Sequence, residues 1–121
     1  MYPTHKAGDY LVIALNGEVD LYYSPRAREQ ILGALESGAH VLVDLSAVEY
    51  IDSSGVASLV EGYQLAREKG LRFALVGVSQ AAMQVLQLAR LDTVFPIYED
   101  LDAALAAAAQ GQGSADERAG P

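Results

Sequence analysis

Cysteine is absent from this 121-residue chain, which excludes disulfides, thiolate metal sites and cysteine nucleophiles. Its apolar runs, Leu11 to Leu15 among them, fall far short of the ~20 residues that cross a bilayer. The start lacks the charged-then-apolar pattern of a signal peptide. A cytoplasmic protein that does not span a membrane is the expectation. Basic side chains are scarce, 8 against 16 acidic ones, for a formal charge of −8. No cluster of Lys or Arg offsets that charge locally, so a phosphate backbone is repelled and nucleic-acid binding is not expected. Gly-x-x-x-x-Gly-Lys, Gly-x-Gly-x-x-Gly and Gly-x-Ser-x-Gly do not occur either, and with them go the familiar phosphate loops and the nucleophile elbow. No cofactor is implied.

What is present is a chain that is 51% hydrophobic, long enough for one domain with a real core and far from a disordered acidic tail. Met1 to Ala7 is weakly patterned and has room for a short edge strand. Tyr10 to Leu15 reads as a strand apolar on both faces, and Asn16-Gly17 as a turn signal. Ser24-Pro25 opens a helix, with serine as the expected cap and proline suited to the first turn. Ala27, Ile31, Leu32 and Leu35 follow at helical spacing, up to Gly38. Val41 to Leu45 is a second buried strand, and Val48, Tyr50 and Ile51 alternate toward the next turn. Val56, Leu59, Val60 and Tyr63 then share a helix face that Lys69-Gly70 closes. Phe73 to Val76 is a third strand. Ser79 caps a further helix whose face from Met83 to Leu91 reads as core. Phe95-Pro96-Ile97-Tyr98 is a short strand placed at an edge by its proline. Glu99 to Gln110 is an alanine-rich last helix. This alternation argues for an α/β domain over residues 1–110 with a largely parallel sheet. The polar, Gly- and Pro-containing stretch 111–121 is expected to be a disordered tail.

Asp52-Ser53-Ser54-Gly55 is the most informative stretch, because it lies where a strand gives way to a helix. Composition alone favours an ordinary N-cap, with Ser53 or Ser54 taking the free N–H groups. The same geometry also suits a modification site. The positive end of a helix tolerates negative charge, and a phosphoserine adds about −1.5 to −2 charges at pH 7. A partner packed there would meet a bulky dianion beside Asp52. A catalytic serine instead needs a placed base. The two histidines are His5, in the weakly patterned start, and His40, just before a strand, so an enzyme is not expected. Glu18 and Asp20, after the first strand, are either solvated turn acids or part of a partner surface. Asp44 is either an exposed strand-end group or a buried acid held by backbone N–H groups. Tyr22-Tyr23 is either an exposed anchor or partly buried against the following helix.

These residues together resemble STAS domains, above all the anti-sigma-factor antagonists. The resemblance runs from about Tyr10 to about Ala108. It is carried by Gly17-Glu18-Val19-Asp20, by Val41 to Ser46, by Tyr50-Ile51-Asp52-Ser53-Ser54-Gly55, by Arg72 to Ser79 and by Leu88 to Phe95. It implies a mixed sheet of four to five strands with helices packed mainly on one face. It further implies that Ser53, the first serine of the motif, is phosphorylated, and that Asp20, Asp52, Ser53, Ser54, Gly55, Val56 and Ser58 form the partner-binding surface. The implied partners are an anti-sigma factor that is also an ATP-using serine kinase, bound while Ser53 is unphosphorylated, and a phosphatase that resets the switch. The module itself would catalyse nothing. Two departures stand out. Many antagonists carry Leu-Gly where this chain has Val56-Ala57, and Thr-Gly where it has Ala89-Arg90. The alternative branch is a STAS subunit of a lipid-transport ABC system, docking constitutively on the ATPase subunit.

Overall fold

The computed structural model describes residues 1–111; from residue 112 on, the expected tail lies outside the described residues. Five strands line up in chain order, β1 (Thr4–Ala7), β2 (Tyr10–Val19), β3 (His40–Ile51), β4 (Phe73–Val76) and β5 (Ile97–Tyr98). β1 and β2 form an antiparallel hairpin. β2 to β5 are all parallel, so each step needs a crossover, supplied by α1 (Ser24–Glu36), α2 (Ser53–Lys69) and α3 (Gln80–Leu88). The sheet grows in one direction throughout. Crossovers of one hand therefore put all three helices on the same face.

The strand pattern follows from that layering. Val41, Val43 and Leu45 of β3 face the three-helix side and pack with Ile31, Leu35, Leu59, Ala66 and Leu86. Leu42, between them, faces the other side with Tyr10, Val12, Ala74 and Val76, under Ala104 of α4 (Leu101–Ala109). Covered on both faces, β3 reads as a continuous apolar run rather than an alternating one. An aromatic group of Tyr63, Phe73 and Phe95 pins α2 to the sheet and to the segment before β5, with ring centroids 5.6–6.3 Å apart. Edge-to-face pairs of this kind contribute about 0.5–1.5 kcal/mol beyond their buried area. Gly62 lets the helix approach: a Cβ there would lie 2.6 Å from Ile31 Cγ2 and 2.8 Å from Phe73 Cε2. On the α3 face, Ala82 and Leu86 are the fully buried positions, with Met83 half-buried.

Two expectations are corrected. Asn16-Gly17 does not end β2 in a turn. The strand runs on to Val19, and the register with β3 shifts between Ala14 and Asn16 and again between Gly17 and Glu18. Gly17 has φ +65°, the left-handed geometry that glycine supplies at a bulge. The same residue type serves bulges and turns. The second correction concerns Ser24, which does not cap α1. Tyr23 takes the N-cap position without a side-chain cap, while Ser24 is buried in the first turn and its carbonyl accepts the Ser58 hydroxyl at 3.4 Å. Among the described residues, no helix is long and apolar enough to cross a membrane.

Candidate functional site

The bulged β2 and β3 carry their pairing to Val19–Ile51, and α2 starts immediately beyond. Gly55 holds the helix start against the strand ends. A Cβ on it would lie 2.5 Å from the Val19 carbonyl oxygen and 2.6 Å from Ile51 Cγ1, so any larger residue must lift the helix or part the strands. The cap of α2 is Asp52, not a serine. Its Oδ1 accepts from the Ser54 N–H at 2.9 Å, from the Gly55 N–H at 3.3 Å and from the Ser54 hydroxyl. Its Oδ2 accepts from the Leu21 N–H at 3.2 Å. The Ser54 hydroxyl, with the backbone N–H groups of Gly55, Ser54 and Leu21, holds the Asp52 carboxyl below its ordinary pKa against a smaller opposing effect of desolvation.

This arrangement separates the two serines chemically. Ser54 spends its hydroxyl on Asp52. Ser53 is the first residue of α2 and is exposed, and its hydroxyl is not needed for capping. Asp20 organises the neighbouring turn. Its Oδ1 accepts from the N–H groups of Tyr22 and Tyr23 at 3.0 and 3.1 Å, and its carbonyl accepts from Ser24 N–H at 2.7 Å. The result is a turn that points apolar side chains into solvent. Leu21 is 76% exposed, Tyr22 75% and Tyr50 51%. With Asp20 and Asp52 these three line one shallow depression. Exposed large apolar side chains gathered at one spot are the kind of patch that an interaction surface uses.

The residues expected to form the site are thus only partly together at the surface. Asp20, Asp52, Ser53 and Ser54 reach solvent, whereas Gly55, Val56 and Ser58 are buried. Ser58 is placed deeply: at 3% exposure its hydroxyl bonds the Ser24 and Ser54 carbonyls and ties α1 to α2. Val56 belongs to the core under the motif. Both residues of the tyrosine pair are exposed, Tyr22 more than Tyr23, and they pack edge-on with centroids 4.9 Å apart. Leu21 and Tyr50 were not expected in the surface. Alternation from the buried Val48 would turn Tyr50 inward; the register shift between the Gly17–Val48 and Glu18–Tyr50 pairs turns it outward instead. Asp44 proves half-buried, with Oδ1 accepting the Ser46 N–H at 2.8 Å.

Neither histidine is placed to serve Ser53 as a base. His40 begins the twelve-residue β3 that Ser53 follows, roughly 35 Å away at strand spacing, and its Nδ1 accepts the Arg72 N–H at 2.9 Å. His5 pairs with Val12, seven residues before the Val19 end of β2. Among the described residues, no three His, Asp or Glu side chains gather into a metal-holding group.

Comparison with known proteins fits this geometry. A sequence 28% identical over 92 residues, spanning 74% of this chain and 79% of its relative, is the anti-sigma F factor antagonist of Paenibacillus polymyxa. An anti-sigma factor antagonist from Mycobacterium paratuberculosis superimposes with a TM-score of 0.78 at 30% identity, covering 88% of this chain and 92% of the other. SpoIIAA of Bacillus shares the fold at 21% identity in both its unphosphorylated form (TM-score 0.76, over 93% of this chain and 98% of that one) and its phosphorylated form (TM-score 0.69, over 88% and 97%). The family model for the STAS domain matches residues 2–104, nearly all that the structure describes, and the chain therefore belongs to the STAS domain family.

Proposed function

We propose that this chain is an anti-sigma-factor antagonist that docks through the surface around Ser53 and is switched off when Ser53 is phosphorylated. The observation that carries the reading is the exposed serine at the first position of α2, released from capping duty by Asp52, whose side chain lines a depression with Leu21, Tyr22 and Tyr50. An anti-sigma factor that is also a serine kinase would bind this face in the cytoplasm. The acidic side chains Asp20, Asp52, Glu18 and Glu49 at the surface around it favour a partner presenting basic groups. In the switching step the γ-phosphoryl group of ATP moves to Ser53 Oγ, the hydroxyl proton leaves and ADP is released. The positive end of α2 accommodates the new charge, so the fold survives. The partner instead meets about −1.5 to −2 added charges next to two carboxylates and a newly hydrated rim around the tyrosines. A phosphatase restores the binding form. The chain acts as a binding module, not as an enzyme.

Incubation with the cognate anti-sigma kinase and ATP tests the reading. Mass spectrometry is expected to place a single phosphate on Ser53, and Ser53→Ala to accept none. A phosphate on Ser54 or elsewhere, or none on the wild-type chain, would overturn it.

A further inference from the structure

The two oxygens of Asp52 serve different elements. Oδ1 takes the Ser54 N–H, the Gly55 N–H and the Ser54 hydroxyl, all within α2. Oδ2 takes the N–H of Leu21, thirty-one residues away in the turn that displays Leu21 and Tyr22. A backbone bond close by, from Asp52 N–H to the Val19 carbonyl, is long at 3.4 Å. The turn has its own internal bonds from Asp20 to the Tyr22 and Tyr23 N–H groups, and these do not involve α2. One carboxylate therefore both caps the helix that bears Ser53 and anchors the turn beside it.

We propose that Asp52 is a positioning residue coupling the two halves of the docking surface: a phosphate on Ser53 repels the Asp52 carboxylate, breaks its bond to Leu21 and releases the turn. The inference rests on Ser53 as the switch and adds a second route by which the phosphate acts. A phosphoserine at the first helical position adds about −1.5 to −2 charges at pH 7 beside Asp52. That charge repels the adjacent carboxylate. Of the bonds Asp52 makes, the single one on Oδ2 is the easiest to give up, since three donors hold Oδ1. Asp20 keeps the inside of the turn intact, so the turn separates from α2 as a unit. Leu21 and Tyr22 then lose their fixed place next to the helix, and a partner must order them again on binding.

The test is amide hydrogen exchange by NMR on the full chain, with phosphoserine installed at position 53 during synthesis. Leu21 N–H is expected to exchange about tenfold faster than in the unmodified chain, as for a bond opened locally, while Tyr22 and Tyr23 N–H keep their rates. Asp52→Asn, which retains a capping side chain but loses the charge, is expected to speed Leu21 exchange without any phosphate. Unchanged Leu21 protection in the phosphoserine chain would overturn the coupling, and so would equal acceleration at Leu21, Tyr22 and Tyr23. No kinase or partner takes part. A partner that bound modified and unmodified chains alike would refute the switch while leaving the Leu21 result as it stands.

Discussion

α2 and α3 are two solutions to one problem. Both follow a parallel strand, pack on the same sheet face and begin with a side-chain cap. α3 is capped by Ser79, whose hydroxyl accepts the Ala82 N–H at 3.2 Å. α2 is capped by Asp52, and the serine that follows keeps its hydroxyl exposed. The large apolar side chains bared beside the start of α2 have an organised turn to hold them. At their other ends the helices also differ. Both close with the same pair of bonds: Leu71 N–H to Ala66 and Gly70 N–H to Arg67 in α2, Leu91 N–H to Leu86 and Arg90 N–H to Gln87 in α3. The left-handed position is Gly70 (φ +68°) in the first and Arg90 (φ +59°) in the second. Capping alone thus does not explain the α2 motif, and the departure from Thr-Gly at Ala89-Arg90 places a side chain where glycine would sit without strain.

The largest effect is expected where the α2 start has no counterpart in α3. Gly55→Ala pushes a methyl group into the Val19 carbonyl and Ile51 and should cost about 3 kcal/mol, the upper end for overpacking, read from urea unfolding. Next comes Tyr22→Ala. It should lower affinity for the anti-sigma partner by about 2 kcal/mol, as for an interface anchor, while unfolding changes by less than about 0.5 kcal/mol; titration calorimetry and urea unfolding give the two numbers. Arg90→Gly relieves the left-handed side chain and should stabilise by about 1 kcal/mol. Asp52→Ala and Ser79→Ala should each cost about 1 kcal/mol, whereas Ser53→Ala should stay within about 0.5 kcal/mol. A cost for Ser53→Ala equal to that for Ser79→Ala would return Ser53 to the role of a cap.

The smallest effect is on pH dependence. Burial first, then Arg72, pushes His40 below its ordinary value of 6.5, against the opposing pull of Asp9. The unfolded chain takes up that proton before the folded one does. Stability should be flat above pH 6.5 with respect to this group, and fall as pH drops from 6.5 toward the lowered folded value. His40→Asn should flatten that slope in a series of urea titrations. Asp52 acts in a lower window: its stabilisation is full above 3.8 and is lost as pH falls through the depressed folded value.

The parallel strands, the helix faces and the Gly70 closure were legible because periodicity and terminator residues report directly on burial and backbone geometry. The motif's place at a strand–helix junction was legible for the same reason. The capping residue was not, because Asp52, Ser53 and Ser54 all carry oxygens that can accept the same N–H groups. The resemblance alone assigns Ser58 to the partner surface, and only the closeness of α1 reveals that its hydroxyl is used inside. Leu21 gave no signal, since an apolar residue in a polar loop is as easily tucked in as displayed. Its display depends on Asp52 reaching the Leu21 N–H from a position far along the chain.

The central claim is that a phosphate on Ser53 removes the docking surface without unfolding the domain. Titration calorimetry of the unmodified and the Ser53-phosphorylated chain against the anti-sigma partner tests it most directly. The account predicts at least about 100-fold weaker binding for the phosphorylated form, about 2.8 kcal/mol, with the thermal unfolding midpoint little changed. Equal affinity for the two forms would contradict it.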